Sequence, residues 1–373
     1  MPSSITLSNP PAYTEMAERF FESYYLKYFV TCPDEKLKNL KPSSERICRF
    51  CDLKNDSTKF RKEAHVFPHQ LGNRYLVSAF ECDNCNELFG KYENDLANFL
   101  GPIRALQAIE GKEKRAKFKS PDKKVVVEKE DLYGISNAIT ISRDDVYDNT
   151  FNIDREEGKG SIEFTKHTYT PLKVYKAILK IALSCLSDED AKLYPIAKKY
   201  LLTTILDNKV SGIAKVPAFK LPLSPTNRPP YAFIYEKLEA TAELPTHIFV
   251  FYFANLIFQI AIPLHTKDLT FYNGKTIGMR FCPPLFTDPV YANSVLIQDT
   301  ILNLESIEPI KNEKESYIFE MDKDALKNAV IFNPITGETS HDLSLFGETA
   351  KILMVKNGTK LQIDRTEEDK ADL

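Results

Sequence analysis

Two Cys-x-x-Cys pairs, Cys48-Arg49-Phe50-Cys51 and Cys82-Asp83-Asn84-Cys85, separated by thirty residues, constrain this chain more than any other feature. Two such knuckles supply the four thiolates of a tetrahedral zinc site. Four thiolates leave no open coordination position, so the expected zinc is structural and holds together a segment too short to fold alone. The other cysteines, Cys32, Cys185 and Cys282, are assigned to packing. Seven cysteines is an odd number, which fits a reduced compartment and a metal site better than a disulfide framework. A cytoplasmic location is therefore expected.

At 373 residues the chain exceeds the usual size of one compact domain. Four segments are expected: an N-terminal amphipathic helix and linker (1–45), the cysteine module (46–102), a basic linker with β-strands (103–168), and a helical pair followed by a β-rich region (169–373). With 43% apolar and 27% charged residues, long disorder is excluded as the dominant state. The opening MPSSITLSNPPAYTEMAERF is polar and then amphipathic and does not read as a secretory leader. The longest apolar run, Ile248 to Pro263, is shorter than a bilayer span and carries Asn255 and Gln259, so buried strands are expected there and no membrane partner.

The net charge of −3 points to no polyanionic partner, and any attraction to phosphate must be local. Residues 112–124 hold seven Lys/Arg against Glu113 and Asp122, a local balance of +5. Lys114, Arg115, Lys117 and Lys119 are the candidate nucleic-acid contacts, set against the reading of a solvated loop. Helical spacing is read from Tyr13 to Val30, and Leu88, Tyr92, Leu96 and Phe99 mark one face of a helix closing the cysteine module. Thr170-Pro171 starts a helix to about residue 187, with Lys173, Lys176 and Lys180 on its polar, exposed side, and Ser187-Asp188-Glu189-Asp190 starts another to about Leu206. Strands are expected across 125–168 and 210–284, with a few more between Phe332 and Ile363.

Between the cysteine pairs lies EAHVFPHQLGN, residues 63–73, and Asn86 follows the last cysteine. The succession Cys-x-x-Cys, His65-x-x-Pro68, Leu71-Gly72-Asn73, Cys-x-x-Cys-Asn86 and Phe89-Gly90 resembles the HNH endonuclease family. The resemblance implies a zinc-stapled ββα-metal module, and with the helices and strands read along the rest of the chain the expected class is α+β, the module lying beside a larger mixed helix and β-rich C-terminal region. It also implies a metal-dependent endonuclease that hydrolyses phosphodiester bonds, with DNA as the expected substrate.

Position by position, His65 matches the general base that takes a proton from the attacking water, and Asn73 matches the central residue that orients the loop behind it. Asn86 matches the helix-borne ligand of a catalytic Mg²⁺ or Mn²⁺. Many members place Asp immediately before the base as a second ligand. Ala64 stands here, leaving Glu63 and His69 as the nearby candidates and Glu93 two helical turns beyond Asn86. Such modules inside larger bodies suggest a gated defence or mobile-element nuclease, with a regulatory ligand or partner for the C-terminal region and a homodimer if both strands are cut. Two other readings stay open: a catalytically silent zinc module that binds nucleic acid or protein, and a nuclease acting on RNA or junctions.

Overall fold

The structure, a computed structural model, describes residues 6–36, 42–107, 109, 117–132, 135–143, 151–154, 158–206, 213–222, 229–238, 243–272, 278–320, 331–332, 339–340 and 350–354. The architecture is α+β, and the chain divides into two compact units: Met1–Ala97 with Tyr169–Ile310, and Asn98–Thr168 with Lys311–Leu373. Among the described residues no helix is long and apolar enough to cross a membrane.

The first unit is organised by a six-stranded antiparallel sheet. Its strands are β1 (Tyr24–Thr31), β2 (Lys215–Lys220), β3 (Tyr231–Lys237), β4 (His247–Phe253), β5 (Leu256–Ala261) and β6 (Gln298–Asn303), in the order β1-β3-β4-β5-β2-β6. The apolar run from Ile248 thus folds as two central strands, with Phe251 opposite Phe258. Its two polar residues bond to backbone: Asn255 Nδ2 donates to Leu221 O, and Gln259 exchanges hydrogen bonds with both backbone groups of Cys282.

Strand β4 is buried along its whole length, so its period-2 alternation serves two cores. Ile248, Val250 and Tyr252 join Phe20, Tyr24, Phe233 and Tyr235 in one apolar cluster. Phe249 and Phe251 form a ring stack on the opposite face, and there Phe67 of the cysteine module lies on Phe251 with centroids 5.5 Å apart. Burying a Phe ring in this way contributes about 2–3 kcal/mol. The sheet is therefore a platform under the module.

The helical reading of Tyr13–Val30 is corrected: α1 spans Thr14–Phe21 and the chain then becomes β1. Aromatic residues in that stretch suit either period, and pairing from Tyr24↔Lys237 to Thr31↔Tyr231 against β3 decides for the strand. Helix α2 (Asp83–Leu100) closes the cysteine module, and α3 (Pro171–Ser184) follows the second unit's insertion. The helix expected from Ser187 to Leu206 is broken in two, α4 (Asp188–Ala191) and α5 (Pro195–Leu202). Ser187 does cap α4, accepting from Asp190 N, but Pro195 lacks an N–H and drives Tyr194 out of helical geometry (φ −118°, ψ 45°).

The exposed-face reading of Lys176 and Lys180 is also overturned, because every residue of α3 except the half-buried Lys173 is buried and each of these two lysines is only 1% exposed. Lys176 Nζ donates to Tyr200 O (3.0 Å) and Thr203 O (2.7 Å), carbonyls of the last turn and end of α5 that lack an onward helical donor.

The second unit is built of antiparallel strands. Phe118–Lys119, Val125–Leu132, Ile135–Arg143 and Ala350–Met354 form one sheet, and Phe151–Asp154, Lys159–Thr165 and Lys314–Glu320 another. Phe118 is buried and packs edge-on against Phe164. Of the proposed phosphate contacts, Lys117 is paired with Glu128 at 2.7 Å and Lys119 is exposed; Lys114 and Arg115 lie outside the described residues.

Candidate active site and zinc centre

The first knuckle is a tight turn. Cys48 N donates to Leu53 O, Asp52 N donates to Cys48 O, and Asp52 takes φ 58° to close it. The second knuckle opens α2, with Cys82 just ahead of the helix and Cys85 in its first turn. All four Sγ atoms lie within 4.8 Å of one another, and the Cys48–Cys85 and Cys51–Cys82 pairs are each 3.7 Å apart. A Zn–S bond of about 2.3 Å requires tetrahedral edges of about 3.8 Å, so the cluster has the dimensions of a zinc tetrathiolate.

Without an ion, the crowded thiols compete for ionisation. Cys48 is lowered to about 5, first by its hydrogen bond to Cys85 and then by backbone amides. Burial lifts Cys51 to about 12, and Cys85 is pushed up chiefly by the bond to Cys48. Four crowded sulfurs cannot all ionise alone, whereas a bound Zn²⁺ deprotonates its thiols outright.

The frame is tied into the surrounding unit. Phe50 packs edge-on against Phe89 of α2 at 4.7 Å. Arg49 lies over the Phe80 ring at 3.5 Å while its Nη1 donates to Leu183, Ser184 and Leu186 carbonyls, and Nη2 meets Asp188 at 2.6 Å. A cationic donor on the free carbonyls of a helix C-terminus is the expected match of charge and hydrogen bonding.

An isolated bridge, Ile47↔Lys54, closes the first knuckle, and between the knuckles two arms meet at His65↔Val77, flanked by Val66 N to Leu76 O and Ser78 N to Ala64 O. The loop joining these arms makes a short turn, His69–Leu71, which Gly72 ends at φ 92°. Asn73, fully buried, staples this loop: Nδ2 donates to Phe67 O (2.7 Å) and Leu76 O (3.0 Å), and Oδ1 accepts from Leu76 N (2.9 Å). Replacing Asn73 by Ala removes the side-chain partner of Phe67 O and Leu76 N, while Leu76 O keeps its bond from Val66 N, and we expect a loss of about 1–3 kcal/mol in urea unfolding at unchanged slope. An unshifted midpoint would remove the staple from the account.

His65 sits on the arm leading into this loop, its side chain 12% exposed. Nε2 is 3.7 Å from Glu63 Oε1, and the His69 ring stands edge-on at 5.2 Å. Burial lowers the His65 pKa to about 4, assisted by His69 and opposed by Glu63, so at pH 7 the imidazole is neutral, the form able to accept a proton. Glu63 also pairs with Lys36. Asn86 is half-buried on α2, two turns before Glu93. Thus the structure brings Glu63, His65 and His69 together and holds Asn73 behind them.

One participant escaped the sequence reading. Lys180 of α3 donates to the His65 carbonyl (2.7 Å) and pairs with Glu93 (3.1 Å) and Glu81 (3.3 Å). Burial alone would lower its pKa, but the two carboxylates outweigh it and raise the pKa, keeping the ammonium charged. Glu81 itself is pushed up to about 7 by burial, against the pull of Lys180. The sequence signal was two lysines one turn apart in an otherwise apolar helix.

The only group of three or more His, Cys, Asp or Glu donors placed for a metal among the described residues is the cysteine cluster. Comparison with curated proteins and with solved structures returns no match. Residues 48–96, from the first thiolate of the zinc frame to Leu96 of α2, match the family model described as HNH endonuclease.

Proposed function

We propose that this chain is a metal-dependent nuclease that hydrolyses phosphodiester bonds, with DNA as its substrate and His65 as its general base. The carrying observation is a neutral, partly exposed imidazole fixed on a stapled loop inside a zinc frame that matches a nuclease family. In this reading His65 accepts the proton of the attacking water, and the Glu63 carboxylate at 3.7 Å favours the imidazolium that results. Asn73 keeps the loop from shifting and touches no reacting atom. Oxygen donors from Glu63 and Asn86 fit Mg²⁺ or Mn²⁺, hard cations that bind through few protein oxygens and retain water. Such an ion, when bound, supplies positive charge against the scissile phosphate.

The test is incubation of the purified protein with supercoiled plasmid and with a structured RNA of similar length, each with Mg²⁺, Mn²⁺ or neither. Nicked or linear plasmid that appears only with added metal is the expected result. Cutting of the RNA alone would transfer the substrate assignment to RNA. No cutting of either would leave the zinc module as a binding element, the role that Ala64 in place of an acidic ligand would suit.

A further inference from the structure

The Lys180 ammonium donates to the His65 carbonyl on the loop arm and to Glu93 on α2, and it stands 3.3 Å from Glu81, next to Cys82 of the zinc frame, as an ion pair, so it reaches three separate segments. Every one of these partners belongs to the span 48–96, and Lys180 lies outside it. The loop is held again at its far side, where Gln70 Nε2 donates to the backbone carbonyl of Glu93. Position 93 of α2 thus grips the loop twice, directly through Gln70 and through Lys180 at His65.

We propose that Lys180 is a positioning residue for the His65 loop: from α3 it fixes the backbone at His65 against α2 and the zinc frame, and so sets where the imidazole stands. The geometric hold on the loop stands by itself; its catalytic consequence rests on the nuclease reading above. A buried ammonium makes a stiff tie, since burial strengthens its hydrogen bonds and ion pairs and disfavours exchanging them. A base displaced by about 1 Å can lose roughly 100-fold in rate.

Lys176 provides the internal control. It is equally buried on the same helix and also holds backbone, but its two carbonyl acceptors lie at the end of α5. The experiment compares wild type, Lys176→Met and the double variant Lys180→Met/Glu81→Gln, which removes the ammonium together with one of its carboxylates. Amide hydrogen exchange is read at Val66 and Ser78, the loop-arm bonds, and at Val250 in the sheet, alongside kcat and KM for plasmid cleavage with Mg²⁺.

In the Lys180 variant, Val66 and Ser78 should exchange at least about tenfold faster while Val250 is unchanged. Its kcat should fall roughly 100-fold at a KM within about twofold of wild type, whereas Lys176→Met should leave exchange at Val66 and Ser78 and the kcat unchanged. Lys180→Arg, which keeps the charge and moves the donors, carries the same readouts should the double variant not fold. Unchanged exchange at Val66 and Ser78 overturns the proposal, as does an equal effect from Lys176→Met. A wild-type protein that cuts nothing would sink the nuclease reading and leave the exchange comparison to decide Lys180.

Discussion

His65→Ala should lower metal-dependent nicking of supercoiled plasmid by about 10²–10⁴-fold, the usual worth of a positioned general base. The same substitution should barely affect folding. The imidazole contributes a 3.7 Å approach to Glu63 and one edge-on ring contact to His69, while the strong bonds at this position run through backbone: the His65 carbonyl to Lys180 and its neighbours' amides across the loop. Those survive in Ala, so the stability change should stay within about 1 kcal/mol. The two readings of His65 therefore part cleanly. A purely structural histidine would lose stability and keep its rate, and a base would do the reverse. Added imidazole should restore part of the lost rate, because the cavity left by the ring faces Glu63 and lies at a surface still 12% open. A variant that nicks plasmid at the wild-type rate would remove His65 from the chemistry.

The cysteine cluster and the family-matching loop were legible because their chemistry is local in sequence. Cysteines three apart can only present their sulfurs to one point, and Gly72-Asn73 specifies a turn that needs φ > 0 followed by a side chain able to staple backbone. The strand pair at 248–263 was legible for a different reason: length, aromatic density and only two polar residues left buried β as the economical reading.

What failed to show was long-range. Lys176 and Lys180 occupy one face of a helix, and periodicity assigns charged residues outward by default. Their acceptors are carbonyls near the end of α5 and on the His65 arm, the latter 115 residues away in sequence, and no local pattern announces them. The end of α1 was hidden by aromatics that fit both periods, whereas the break at Pro195 was visible and should have outweighed the capping signal before it. The consequence for the site is direct. The family-matching span carries His65 and the cysteine frame, yet groups that hold the span in place come from α3, α4 and β4, through Lys180, Asp188 with the α3 carbonyls, and Phe251.

Cys82→Ser should abolish zinc binding and open residues 52–81 to proteolysis while the six-stranded sheet persists. The wild-type chain should release one Zn²⁺ per molecule on thiol modification, and the variant none. Structural zinc sites contribute about 10–16 kcal/mol of apparent binding energy at neutral pH. Against that, the cover of Phe67 on Phe251 and the Arg49 carbonyl clamp are worth only a few kcal/mol. Losing the ion therefore exceeds what the remaining contacts can retain. The sheet survives because its other face has its own apolar cluster around Ile248, Val250 and Tyr252, which contains no residue of the module. The variant also separates the two metals in the cleavage assay. Chelation removes both, but re-adding Mg²⁺ alone should restore cutting only where the tetrathiolate has kept its zinc, and Cys82→Ser should cut at no Mg²⁺ concentration. Resistance of residues 52–81 to protease in a zinc-free variant would mean that the packing against α3 and β4, and not the ion, holds the module closed.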